Sequence, residues 1–338
     1  MDSQLQQRLM IYAGFIPGAI SFILLLSAWY MHALRDSRTD LDDDDTQRAV
    51  SPGPRWLLPA LIALGIAGAE YAQNYGFKVW PDDNTYRYTH AAVFIALASI
   101  AEGLVKLPLI ALFAMRLLAY AGAFWMLSEG YTETVLGGSA NLIAYTLFAA
   151  IATTLIATAS DRNAQLNHHE RPLGWLDALT WCMIFGATMP VLFENNFALG
   201  AMYPAGAISV LVSAALVGLI FRSLSLDRGT ITILVGFHMT MLTGVIIQVG
   251  LNSLPSVLLV AILPLVTLVP LRTQSRINRL LARFVLIAIV AGAAMTIIHA
   301  PKLSFWPDNQ AESYSDDDEA DASPDDEESL EDYYNNLD

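Results

Sequence analysis

Long uncharged apolar runs recur from one end of the chain to the other, and that recurrence constrains the fold more than any other feature. A helix needs about 20 predominantly apolar residues to cross a bilayer. Ten runs meet or approach this length: Leu9–Met31, Trp56–Ala72, Tyr88–Leu104, Pro108–Leu127, Ala140–Ala159, Trp175–Phe193, Phe197–Phe221, Thr230–Leu251, Leu254–Leu271 and Phe284–Ala300. Each is apolar all round, so length and lack of charge carry the reading rather than amphipathic periodicity. In hydrocarbon every backbone polar group must be bonded within the chain, which helices achieve segment by segment. The expected fold class is therefore all-α: a polytopic bundle of about ten transmembrane helices. Only Val105–Leu107 separates the third and fourth runs, and Pro264 is expected to kink the ninth. The first run reads as a retained helix. It is too long for a signal-peptide core, follows a single base (Arg8), and ends without a small-residue cleavage pattern.

Charge is scarce and unevenly placed. Charged residues make up 15% of the 338, against about 25% in a soluble domain. Of the 32 acids, 14 lie between Asp308 and Asp338, whereas the last base is Lys302. Residues 1–307 are thus neutral, and the whole net charge of −14 belongs to the C-terminal tail. The sequence divides into a transmembrane domain (1–307), with a polar linker at 32–55, and an acidic tail (308–338) expected to be disordered for want of apolar residues. With no basic excess anywhere, nucleic acid is not an expected partner. A single cysteine, Cys182, excludes an intramolecular disulfide and any cysteine-based metal centre.

The bases alternate between loops. With ten helices, thirteen Lys and Arg fall on one side of the membrane, four on the other, and Arg116 inside a span. The positive-inside rule then places both termini outside the cytoplasm of a cell-membrane protein. Arg272, Arg276, Arg279 and Arg283 are spaced 4, 3 and 4 apart and share one helical face. That face is suited to anionic lipid headgroups of the inner leaflet.

Two short similarities stand out. Gly18-Ala19-Ile20-Ser21 recurs as Gly206-Ala207-Ile208-Ser209, each soon after a proline. Trp80-Pro81-Asp82 resembles Trp306-Pro307-Asp308, as expected of interfacial tryptophans at helix ends.

Candidate functional residues are those whose burial in a membrane is costly. An arginine in mid-span costs roughly 2.5–3.5 kcal/mol on insertion scales and requires a partner. Arg116 is such a residue. Glu102 is one candidate partner, because a tight hairpin turning near Lys106 brings the two together: Glu102 leans away from the turn and Arg116 toward it. Glu70 is the alternative. A purely structural reading pairs Glu102 with Lys106 and leaves Arg116 to backbone carbonyls or another acid. His238, with Thr240 and Thr243 near it, is a candidate proton relay or a simple interhelical hydrogen bond. The candidate intramembrane polar site is thus Glu70, Glu102, Arg116 and His238. Adjacent His168, His169 and Glu170 read as a solvated loop rather than a metal cluster, and no cofactor or metal is expected. No phosphate-cradling loop, HExxH or comparable enzyme signature occurs. Two functions fit these features: a secondary transporter or permease, and a non-catalytic membrane scaffold.

Overall fold

The computed structural model describes residues 3–39, 54–74, 87–105, 107–129, 137–170, 174–195, 197–221, 224–226, 228–249, 253–269 and 276–299. The acidic tail and most of the 32–55 linker lie outside the described residues, as do Lys106, Arg272 and both Trp-Pro-Asp segments. Among the described residues there are helices and no strands.

The chain begins with Ser3–Arg8, passes through the π-helical Leu9–Phe15, and continues as α1 (Ile16–Thr39). Pro17 explains the wide turn. Its ring would collide with the carbonyl of Ala13 in a regular helix, and a π-helical turn makes room for it. Then follow α2 (Leu57–Asn74), α3 (Tyr88–Leu104), α4 (Leu109–Ser128), α5 (Ser139–Glu170), α6 (Gly174–Glu194), α7 (Ala198–Ile220) and α8 (Gly229–Val249). After α9 (Leu254–Ala261) the chain tightens into a 3₁₀ segment, Leu263–Leu268, before α10 (Arg276–His299). Seven of these helices are long and apolar enough to cross a membrane, while Leu57–Gln73, Tyr88–Leu104 and Leu254–Leu268 are shorter apolar helices.

Three boundaries differ from the sequence reading. α1 runs to Thr39, into the polar stretch after Met31. α5 does not stop at Ala159 but continues to Glu170, which carries Asp161 and Arg162 inside a helix. α10 starts at Arg276, ahead of the apolar run that begins at Phe284. Hydropathy falls off at each of these points, yet helical hydrogen bonding does not require apolar side chains.

α8 is the hub, packed against α2, α3, α4, α5, α6, α7 and α9. The outward faces of the other helices are apolar: Ile110, Leu118, Phe148, Ile277 and Ile289 are all largely exposed. Close approach is set by small residues. At the α2–α7 crossing a Cβ on Gly65 would strike the carbonyl of Gly206, and one on Gly206 would strike the carbonyl of Gly65. The twin Gly-Ala-Ile-Ser segments also meet, since Gly18 of α1 lies against Ser209 of α7 and Ser213 donates to the Gly18 carbonyl at 2.8 Å. A Cβ on Gly14 would meet only Leu9 of its own helix, whereas one on Gly18 would meet Ser209 and Ser213 of α7.

Candidate functional site: a buried ion network

α4 packs along α3 and sets Arg116 beside Glu102. Arg116 is fully buried and Glu102 is 1% exposed. The guanidinium grips the carboxylate with both prongs: Nε donates to Oε1 at 3.0 Å and Nη2 to Oε2 at 2.8 Å. Such paired charge-assisted bonds are the strongest and most directional available to arginine. Nη2 also donates to Asp161 Oδ2 of α5 at 3.0 Å, and Nη1 to Thr158 Oγ1 at 3.3 Å.

The fourth helix joins through its N-terminus. Asp161 Oδ1 accepts the backbone N–H of Arg228 at 2.7 Å, the residue just ahead of α8. Helix N-termini carry unpaired N–H groups and about half a positive charge, so Asp161 caps α8 from a neighbouring helix. Arg228 has φ +33°, a conformation unfavourable for a side-chain-bearing residue, and that bend presents its N–H in the cap. One turn into α8, Thr232 Oγ1 donates to Glu102 Oε2 at 2.8 Å, and Tyr120 of α4 donates to the Thr232 carbonyl at 2.8 Å. Gly229 permits this docking, because a Cβ there would collide with the Ser99 carbonyl of α3.

The network therefore ties α3, α4, α5 and α8 at one end of the bundle. It holds two carboxylates to one guanidinium, and the helix N-terminus partly offsets the surplus charge. Nearby lies a small cleft whose mixed lining includes Ser160, Asn163, Asp177, Thr267 and Arg283 beside Trp181, Leu226 and Ile231. Arg283 is 5% exposed and donates to Asp177 at 2.7 Å and to Thr180 at 3.1 Å. Its guanidinium thus turns into the bundle, away from the lipid-facing position that its helical spacing implied.

The other sequence candidates lie elsewhere. His238 is fully buried against Phe185, and its Nε2 lies 3.1 Å from the Val260 carbonyl. A carbonyl can only accept, so Nε2 carries the proton. Pro264 lacks the N–H that a continuous helix would direct to Val260, which leaves that carbonyl to the Ile262 N–H and the His238 ring. Glu70 is 1% exposed near the C-terminus of α2 and takes no part in the Arg116 network. Asp161 escaped sequence analysis because it follows the apolar run of α5, where a carboxylate reads as solvated. The one available signal was that an intramembrane arginine and a single acid leave hydrogen-bonding capacity over.

Seven membrane-length apolar helices around a desolvated ion network define the class: a helical membrane protein. Within that class the chain matches no protein-family model, no curated protein and no solved structure.

Proposed function

We propose that this protein is a secondary transporter or permease of the cell membrane, and that the Arg116–Glu102–Asp161 network latches its cytoplasmic end. In this reading the three shorter helices also cross, giving ten spans with both termini outside, and Arg272, Arg276 and Arg279 meet anionic headgroups. One observation carries the proposal. Three charged side chains from three helices, plus the N-terminus of a fourth, converge in one desolvated site with a surplus carboxylate. Charges buried at such cost in membrane helices mark ion or substrate paths by default. Interrupted helices support it: the π-helical turn before Pro17 and the break after α9. Breaks of this kind expose backbone groups to substrates in transporters.

A scaffold would hold this end permanently closed, whereas a transporter must open one end as the other shuts. Ser160 and Thr267 lie across the cleft with their hydroxyl oxygens 3.4 Å apart. In a Cys182→Ser background, cysteines at these two positions form a disulfide that locks the cleft. Ser128, fully buried at the far end of α4, serves as the probe when changed to cysteine. Locking the cleft should raise its reaction with an impermeant maleimide added outside intact cells, and reduction should reverse the effect. Equal labelling in both states overturns transport in favour of the scaffold. Labelling of Thr46→Cys from outside the cell would overturn the orientation separately.

A further inference from the structure

Glu70 remains unexplained by the ion network, and it does not stand alone. Its Oε2 atom is buried without a hydrogen bond, and so are both amide atoms of Gln73. Glu70 is 1% and Thr89 6% exposed. Gln73 is three residues after Glu70, hence on the same face of α2. Thr89, on the first turn of α3, turns its hydroxyl toward the Glu70 carboxylate, and His90 lies within electrostatic reach of it. Thirteen residues of α3 separate Thr89 from Glu102, or about 20 Å at 1.5 Å per residue. This cluster is therefore separate from the Arg116 network and sits toward the other end of the bundle.

Native structures satisfy the great majority of buried polar atoms, and unmet ones on a carboxylate and an amide one helical turn apart call for a partner. Two arginines reach this end of the bundle, but each is engaged. Arg8 donates to the Tyr71 carbonyl at 3.2 Å, while Arg87 pairs with Glu129 at 3.5 Å and faces the Met126 carbonyl. His90 would balance Glu70 only when protonated. What the cluster offers is one carboxylate oxygen, one amide oxygen and one hydroxyl.

We propose that Glu70, Gln73 and Thr89 form a binding site for a monovalent alkali cation, with sodium as its ligand. Hard oxygen donors suit a hard cation, and a single carboxylate matches a single positive charge. Divalent calcium or magnesium sites recruit more carboxylates or retain waters. Softer metals require nitrogen or sulfur ligands, and no group of three His, Cys, Asp or Glu side chains suited to a metal occurs among the described residues. The inference concerns binding alone and does not depend on transport.

The test is the thermal unfolding midpoint of the purified full-length protein in nanodiscs. Sodium chloride is titrated against N-methyl-D-glucamine chloride at constant ionic strength. A ligand that binds only the folded state raises the midpoint by a constant increment per tenfold rise in concentration beyond saturation. Sodium should produce that rise and the organic cation should not. Glu70→Gln should abolish it, and Thr89→Val and Gln73→Leu should each shift it to higher sodium. The two latter variants keep the test decisive if the first fails to fold. Equal midpoints in both salts overturn the proposal, as does an unchanged sodium response in all the variants that fold. A midpoint that follows acid titration but ignores sodium also overturns it, since the carboxyl would then take a proton instead of a metal ion.

Discussion

Replacing Arg116 by glutamine tests whether the network is a coupled unit. Four hydrogen bonds end on this guanidinium: 3.0 and 2.8 Å to Glu102, 3.0 Å to Asp161 and 3.3 Å to Thr158. Its loss leaves two carboxylates facing each other in a desolvated site. Breaking a buried pair by removing one partner costs about 3–5 kcal/mol, and water entering from the cleft would bring the value toward the lower end. The two carboxylates are not equivalent. Asp161 keeps the Arg228 N–H and the positive end of α8, whereas Glu102 keeps only the Thr232 hydroxyl. Adding Glu102→Gln to Arg116→Gln should therefore recover the larger share of the lost stability. A further Asp161→Asn should recover less. The assay is equilibrium unfolding in mixed micelles, run as a double-mutant cycle. The expected Arg116–Glu102 coupling lies in the upper half of the roughly 0.5–3 kcal/mol range for contacting residues. If the single changes add to within about 0.5 kcal/mol, the residues do not interact and the argument fails. Greater recovery from Asp161→Asn than from Glu102→Gln would show that the helix N-terminus does not hold Asp161 as described.

Two further outcomes follow from local geometry and are read by the same unfolding assay. At φ +33°, Arg228 bears a strain of roughly 1–2 kcal/mol, while glycine costs about 0.5–1 kcal/mol in chain entropy. Arg228→Gly, which keeps the N–H bonded to Asp161, should thus range from neutral to about 1.5 kcal/mol more stable, and Arg228→Val should be clearly destabilised; a glycine variant weaker than the valine variant contradicts the strain. His238→Leu removes one of the two donors to the Val260 carbonyl, the other being the Ile262 N–H, and should cost about 0.5–1.5 kcal/mol, with partial recovery in His238→Gln, whose amide is a donor; equal loss in both variants would mean that the bond is not what His238 contributes.

The sequence by itself determined the helical class, because uncharged runs of membrane length admit only backbone bonded within each segment. It also marked Arg116 as a residue needing an acid, since that cost depends on depth in a span rather than on any neighbour, and it marked Pro264 as a break, since a missing N–H is a local fact. Tertiary structure alone decided the rest. Asp161 lies 45 residues from Arg116, and Thr232 lies 130 residues from Glu102. Which side chain meets which depends on how each helix is rotated about its axis, and one residue changes that direction by about 100°. Hydropathy records that a residue is charged and how deep it lies, but it carries no rotation. Arg283 shows the consequence: its spacing places it with the other bases on one face, yet packing of α10 against α6 turns its guanidinium onto Asp177. The docking of α8 likewise rests on contacts that no run of residues displays, because Gly229 matters only where the Ser99 carbonyl stands. The buried network is the product of those rotations and close approaches, and its charges acquire partners only when four helices are set side by side.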